Sequence, residues 1–314
     1  MAAFLVTHAA AQGSCPTGPA LTPGTQHCSS NLTGTVGSFG WSIWSSGSGG
    51  CITPSGNTAA FKATWSNAGD FLARMGFQWN ETKTFDQYGT VSADYAYTKT
   101  GTAGGYSFIG IYGWSNNPLI EYYIVDDWFG TGSAPTGGGT LKGTFSVDSG
   151  TYKVYTHQQV NQPSIHGTTT FMQYFSIRQT ARQCGHISLS EHWKEWKTLG
   201  MDLGKMYEAK LLIEAGGGSG SIDYSVGNMT TGTTSISPAR EGAPGFARDG
   251  ELSLSNGKSG VLSLLSLNGT VIRSMRQDAS RPAILSTRDL PTGLYLLRFQ
   301  GNGGAAETRK ILLP

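Results

Sequence analysis

Between residues 36 and 228, short apolar and aromatic runs alternate with Gly, Ser, Asn and Thr. "AAFKATWS", "FLARMGFQW", "TVSADYAYTK", "YSFIGIYGW", "TYKVYTHQQV" and "TFMQYFSIRQ" are of this kind. Many short strands at regular spacing predict a sandwich or a rolled sheet. One segment changes period. In "SLSEHWKEWKTLG", Leu189, Trp193, Trp196 and Leu199 recur at helical spacing. Ser188 with Glu191 reads as a capping box and Gly200 as the C′ stop, so one amphipathic helix is expected, its two tryptophans packed into the core. Residues 229–248 show no periodicity and read as a linker. Strands resume in "VLSLLSLNGTVIRSM", "GLYLLRFQG" and "TRKILLP", which predicts a second, small β domain over 249–314.

Two strands carry a carboxylate where apolar residues are expected. In "PLIEYYIVDDW" (118–128), alternation puts Glu121 on one face with Leu119 and Tyr123, and Ile120, Tyr122 and Ile124 on the other. A charge beside so much aromatic surface must be paired, wet or functional. In "KLLIEAGGGSGSIDY", Glu214 shares a face with Lys210 and Leu212, and three glycines then leave room for a close approach. Glycoside hydrolysis uses such a pair, one carboxyl to protonate the leaving oxygen and one to attack the anomeric carbon or activate water. Spacing alone does not bring the two together, and structural ion pairs are the competing reading.

Composition narrows the setting. Gly numbers 45, about twice average usage, and charged residues are 13% against a typical figure of about 25%. With 13 Tyr, 13 Phe and 8 Trp, this suits a secreted β protein that handles uncharged ligands. The net charge of +2 gives no field for nucleic acid. No apolar run reaches the roughly 18 residues of a membrane span. The first residues, "MAAFLVTHAAAQG", have a short apolar patch and an Ala9-x-Ala11 site, so 1–11 reads as a signal-peptide remnant, with an unstructured tail as the other reading. Residues 12–35 read as an N-terminal extension. Four cysteines fit an oxidising compartment. Cys15 and Cys28, close in sequence, are expected to pair, leaving Cys51 for Cys184, although three connectivities are open. No C-x-x-C spacing suggests zinc, and no metal is expected.

"YGWSNNPLIEYYIVDDWFG", "QPSIHGTTTFMQYFSIRQ" and "HWKEWKTLGMDLG" resemble, in order and spacing, the signature segments of family 11 glycoside hydrolases, the endo-β-1,4-xylanases. The resemblance covers about 190 residues, 36–228. It implies an all-β fold, a jelly roll of two curled antiparallel sheets with one helix, and retaining hydrolysis of xylan and xylo-oligosaccharides without a cofactor. By that match Glu121 is the nucleophile and Glu214 the general acid/base, with Asp70 hydrogen-bonded to Glu214. Trp44 stacks on a xylose ring, Tyr112 and Tyr123 line the cleft, and Pro163, Ser164 and Ile165 form the tip of a thumb loop. Gln173 contacts substrate from the thumb's return strand. The chain departs from the pattern in places. Gln159 stands where an arginine is usual, Glu208 for a cleft tyrosine and Phe175 for a tryptophan. Ala215-Gly216 replace a Gly-Tyr pair, which implies a more open wall there.

The segment "LSLNGTVIRSM…DLPTGLYLLRFQGNGG…TRKILLP" resembles C-terminal β-sandwich sorting domains of secreted bacterial proteins, which implies secretion machinery as a partner. A carbohydrate-binding module is the alternative, weakened because no Trp follows Trp196. A secreted or cell-surface monomeric enzyme is therefore expected. The competing functions are a non-catalytic β-sandwich lectin and an endoglucanase like those of family 12.

Overall fold

The computed structural model describes residues 15–47, 49–130, 132–232 and, nearer the C-terminus, 246–248, 251–254, 259–266, 269–279, 283–291, 293–302 and 306–313. The expected signal remnant at 1–11 and most of the expected linker, 233–245, lie outside them. The chain divides into two compact units, Met1–Thr233 and Thr234–Pro314.

Unit 1 contains fifteen strands. They are β1 (His27–Ser29), β2 (Asn31–Val36), β3 (Phe39–Gly47), β4 (Gly50–Pro54), β5 (Phe61–Trp65), β6 (Ala68–Gln78), β7 (Thr90–Gly101), β8 (Ser107–Asn116), β9 (Ile120–Asp127), β10 (Thr140–Val147), β11 (Gly150–Ser164), β12 (Gly167–Arg178), β13 (Cys184–Ile187), β14 (Lys205–Ala215) and β15 (Gly220–Gly232). A six-stranded sheet runs β1-β4-β5-β15-β7-β13, and a nine-stranded sheet runs β10-β11-β12-β9-β8-β14-β6-β3-β2. Two expected boundaries move. Residues 27–35, read as an extension, supply strands to both sheets, and β15 continues to Gly232, paired with Thr90, into the segment read as linker. One pair also departs from the antiparallel expectation: β12 lies parallel to β9, because the β10–β11 connection carries the chain out and back between them.

The main core fills the space between the sheets. Ile43, Phe71, Met75, Ile111, Tyr122, Ile124 and Leu211 of the large sheet meet Ile52, Phe61, Tyr95, Ile222 and Tyr224 of the small one. The other face of the large sheet is apolar too. Leu72, Phe108, Tyr112, Trp114, Tyr123, Phe171, Phe175 and Leu212 form a second cluster there. The central strands β8 and β9 are therefore buried along both faces, which explains near-continuous apolar runs in place of clean alternation.

Among the described residues the one α-helix, α1 (Leu189–Thr198), forms where its period predicts, with Trp193 and Trp196 fully buried. Trp196 Nε1 donates to Ser176 Oγ at 2.8 Å. Its C-terminus closes as expected. Gly200 takes φ +72°, its N–H donates to the Lys197 carbonyl and that of Met201 to Trp196. Its N-terminus does not form the expected capping box. The Ser188 hydroxyl donates instead to Asp148 Oδ1, and its N–H to Oδ2, both at 2.7 Å. The Asp148 side chain in the β10–β11 turn, taking both Ser188 donors, outcompetes the local cap.

The cysteine pairing differs from expectation. Cys28 bonds Cys51 and Cys15 bonds Cys184. Strand register decides this: β1 pairs antiparallel with β4 so that Cys28 lies directly opposite Cys51. Proximity in sequence carried no such information.

Unit 2 has β16 (Phe246–Arg248), β17 (Glu251–Leu254), β18 (Gly260–Leu265), β19 (Val271–Gln277), β20 (Ala283–Ser286), β21 (Gly293–Gly301) and β22 (Ala306–Leu313). They form sheets β16-β17-β20 and β19-β18-β21-β22 around one cluster of Leu252, Leu262, Leu264, Leu285, Leu297 and Phe299. The Leu-Pro-x-Gly-x-Tyr stretch has a local cause: Tyr295 Oη donates to the Pro291 carbonyl at 2.8 Å and fixes the turn into β21.

The Cys28–Cys51 bridge closes a 23-residue separation, which loop-closure entropy values at about 3 kcal/mol. Cys28→Ser/Cys51→Ser is expected to lower unfolding free energy by about that amount while leaving the fold intact, read by denaturant titration. Peptide mapping of the unreduced protein should yield only the two bridges named here; a Cys15–Cys28 peptide would contradict the register of β1 with β4.

Candidate active site

The outward face of the large sheet collects the predicted residues because register aligns them in rows across the strands. One row runs Glu208 (β14), Trp114 (β8), Glu121 (β9), Gln173 (β12) and His157 (β11). A second row on the same face, six residues along β8 and β14, runs Trp44 (β3), Leu72 (β6), Glu214 (β14) and Phe108 (β8). Glu121 and Glu214 therefore lie on one face of the sheet, at 8% and 7% exposure.

Glu121 is surrounded by donors. Tyr112 Oη donates to Oε1 at 2.6 Å, Gln173 Nε2 to Oε2 at 2.6 Å, and Tyr123 Oη to Oε1 at 3.2 Å. The Tyr112 hydroxyl accepts in turn from Trp114 Nε1. Gln173 is oriented by a second layer: its Oε1 faces His157 Nδ1 at 3.1 Å and accepts from Gln159 Nε2 at 3.0 Å. Burial raises the Glu121 carboxyl above the usual range, and the hydrogen bonds from Tyr112, Gln173 and Tyr123 work against that rise, as does the charge of Arg74.

Glu214 differs. Burial, then the charges of Asp70 and Glu121, push it well above the usual carboxylate range. The Tyr123 hydroxyl also faces it and opposes the rise, so one hydroxyl sits between the two carboxylates. Asp70 is itself raised by burial, with hydrogen bonds from the Tyr106 hydroxyl and the Phe71 backbone opposing. Two oxygens, Asp70 Oδ1 and Glu214 Oε2, are buried without any hydrogen-bond partner. Glu214 holds its proton more readily than Glu121 does.

A cavity of about 390 Å³ opens against Glu214, lined by Tyr106, Phe108, Tyr123, Gln159, Gln173 and Phe175 among others. Phe175, in place of the usual tryptophan, stacks on Tyr123 at 4.8 Å and 13°. The β11–β12 hairpin is the predicted thumb. At its tip Ser164 Oγ donates to the Gly167 carbonyl, Ile165 packs onto the outward-face cluster and Pro163 is exposed. The tip also reaches across to another loop, where His166 Nε2 lies 3.3 Å from Glu81 Oε1. Trp44 is half-buried against the same cluster.

Of three further features, two escaped the sequence, and Tyr207, next to Glu208, is an open candidate there for the usual cleft tyrosine. Tyr106 is the first. A Cβ at Gly216 would meet the Tyr106 ring at 2.2 Å, so this ring occupies the space beside Gly216. The wall expected to be open is filled from a different segment, and the glycine is what admits the ring. Tyr207 is the second. A bulge between Met206 and Glu208 brings it onto the outward-face cluster beside Glu208. The third is a charged group of Arg74, Glu208 and Lys210. Lys210 Nζ is 2.6 Å and Arg74 Nε 3.2 Å from the Glu208 carboxylate. Burial opposes the Glu208 charge, but the two cations hold it below the usual range.

Residues 37–225 match the model of glycosyl hydrolases family 11. The chain belongs to this family. Family 11 relatives share the sequence well beyond the motifs. Endo-1,4-beta-xylanase C of Fibrobacter succinogenes is 42% identical over 287 residues, 87% of this chain and 47% of that protein. Endo-1,4-beta-xylanase S20 of Neocallimastix patriciarum is 46% identical over 229 residues, 72% of this chain and 68% of that protein. The chain thus spans about half to two thirds of these relatives. The crystal structure of wild-type ENZbleach xylanase superposes with a TM-score of 0.63 at 44% identity, covering 67% of this chain and 88% of that one.

Gly216→Ala should push the half-exposed Tyr106 ring aside rather than unfold the sheet, since the obstructing atoms belong to a side chain. Turnover of a family 11 substrate is expected to fall. Combined with Tyr106→Ala, it should cost little beyond Tyr106→Ala alone. Additive losses in that double-mutant cycle would show that the two positions do not share one space.

Proposed function

We propose that unit 1 is an endo-1,4-β-xylanase that hydrolyses xylan by double displacement, with Glu121 as nucleophile and Glu214 as general acid/base. The observation that carries this is the asymmetry of the two buried carboxyls. Glu121 accepts three hydrogen bonds that favour its anion, whereas Glu214 is raised by burial and two like charges. Two carboxyls whose surroundings push them apart are an acid and a nucleophile already assigned. A single hydroxyl between them supports the short separation of a retaining site rather than a gap that holds water.

In the first step Glu121 attacks the anomeric carbon while Glu214 gives its proton to the departing oxygen. Forming the glycosyl ester removes the Glu121 charge. Glu214 then loses one of the repulsions that raised it and becomes the base that takes a proton from water. Trp44, Tyr112, Tyr123 and Gln173 hold the sugar, and Pro163, Ser164 and Ile165 cover it. The two relatives named above, both endo-1,4-beta-xylanases, favour xylan over cellulose. Unit 2 is proposed as a sorting module for secretion, on its own core and its Leu-Pro-x-Gly-x-Tyr turn, which places the enzyme outside the cell.

Glu121→Gln is expected to lose nearly all turnover of xylan yet bind xylo-oligosaccharides. Glu214→Ala should spare substrates with good leaving groups, and azide should restore turnover with a β-glycosyl azide product. An α-azide, or turnover by Glu121→Gln, would end the assignment; faster release of ends from carboxymethylcellulose than from xylan would change the substrate.

Asp70 sets the basic limb. Once one proton leaves the Asp70–Glu214 pair, the two carboxyls share the one that remains, and the acid gives it less readily to the leaving group. The productive state therefore keeps Asp70 protonated, which confines activity to acid pH. Asp70→Asn substitutes a neutral donor, leaving the limb to Glu214, which is held well above the usual range. The optimum of kcat/KM on xylo-oligosaccharides is expected to move towards neutral pH. An unmoved or more acidic optimum would remove Asp70 from the acid.

A further inference from the structure

Arg74 lies on β6 two residues beyond Leu72, on the face that carries Glu121 and Glu214. Its guanidinium carbon sits 4.4 Å from the centroid of Tyr112, the residue that donates to Glu121 Oε1 at 2.6 Å. Buried arginines ordinarily use their forked donors. Arg74 Nε has no aligned acceptor among the described residues, although Glu208 Oε1 lies 3.2 Å away. Stacking on Tyr112 and the charge of Glu208 hold the guanidinium in place.

The charges around Glu121 show what that arrangement supplies. β8 gives Tyr112 and Trp114, β9 gives Tyr123 and β12 gives Gln173, all neutral donors. β11 reaches Gln173 through Gln159 and His157, and its one lysine, Lys153, lies opposite Ile177, four positions along the strand from His157. Tyr106 hydrogen-bonds Asp70. β6 and β14 bring the anions Asp70, Glu208 and Glu214 together with the cations Arg74 and Lys210. Lys210 is committed to Glu208 at 2.6 Å and to Gln78 at 2.9 Å. Arg74 is the cation whose charge reaches both Glu121 and Glu214. Its own charge is secure: burial opposes it, but Glu208, then Tyr112 and Glu121, more than offset that cost.

We propose that Arg74 is a positioning residue that acts through Tyr112, fixing the hydroxyl on Glu121 and supplying the positive charge that keeps the buried nucleophile ionised, so that the thumb need not provide a cation. This rests on Glu121 being the nucleophile.

The test is the pH dependence of kcat and KM on an aryl β-xylobioside. Removing a nearby cation makes a carboxylate easier to protonate. Arg74→Gln should therefore move the acid limb upward by about one pH unit, and the basic limb in the same direction, with little change in KM. Arg74→Lys keeps the charge and the counter-ion for Glu208, so its limbs should stay near those of the parent. Gln159→Arg added to Arg74→Gln places a cation on the thumb side and should bring the acid limb back. Loss of kcat or a rise in KM with both limbs in place would overturn the proposal, leaving a structural or sugar-binding arginine. If Arg74→Gln does not fold, an Arg74→Lys acid limb displaced by a unit would overturn it equally. Turnover by Glu121→Gln would instead remove the nucleophile assignment, whereas an inactive Glu121→Gln beside unmoved limbs removes only the role of Arg74.

Discussion

A carboxylate withdrawn from water onto an aromatic sheet face stays charged only where donors and a cation surround it. Glu121 is in that position, with two donors at 2.6 Å and a third at 3.2 Å. Those donors come from β8, β9 and β12, so the three strands must hold register to within one residue. A slip of one position would turn every donor to the opposite face. Packing between the sheets secures the register. Tyr122 and Ile124, the neighbours of Tyr123, are fully buried in the main core, and Tyr122 donates to the Glu208 backbone. The core residue and the site residue are adjacent in sequence and back to back in space.

That two-sided construction is why so much of the site could be read from the chain. Strand alternation separated Glu121 and Tyr123 from Tyr122 correctly, and the same rule separated Glu214 and Leu212 from Ile213. Helical period found α1 and both buried tryptophans. These are local regularities, and a sequence states them directly. Motif order supplied the one non-local fact that alternation could not, that the two carboxylates meet.

What remained illegible was spatial. The Cys28–Cys51 bridge follows from β1 lying on β4, a pairing between segments with no local signal of each other. The parallel pair β12–β9 depends on where the thumb hairpin returns. Ser188 loses its capping role to Asp148, forty residues away, because both oxygens of that side chain accept from Ser188 at 2.7 Å. Read by position, Gly216 looked like an opening; read in space, it is the room that Tyr106 needs.

Gly216 and Gln159 show the same thing about what the site constrains. At one position a ring is missing beside the acid, and Tyr106 brings one from the segment before β8. At the other a cation is missing from the thumb, and Arg74 stands on the far side of Tyr112. Volume against Glu214 and positive potential at Glu121 are properties of a place, and several strands border that place. In a nine-stranded sheet each cross-strand row offers a side chain from every strand it crosses, so a lost group can be supplied from a neighbouring strand without moving the backbone. The carboxylates lack that freedom. In the proposed roles of nucleophile and acid/base, their oxygens have to reach the anomeric carbon and the leaving oxygen, which ties each to one strand position, whereas a potential or a filled volume tolerates several.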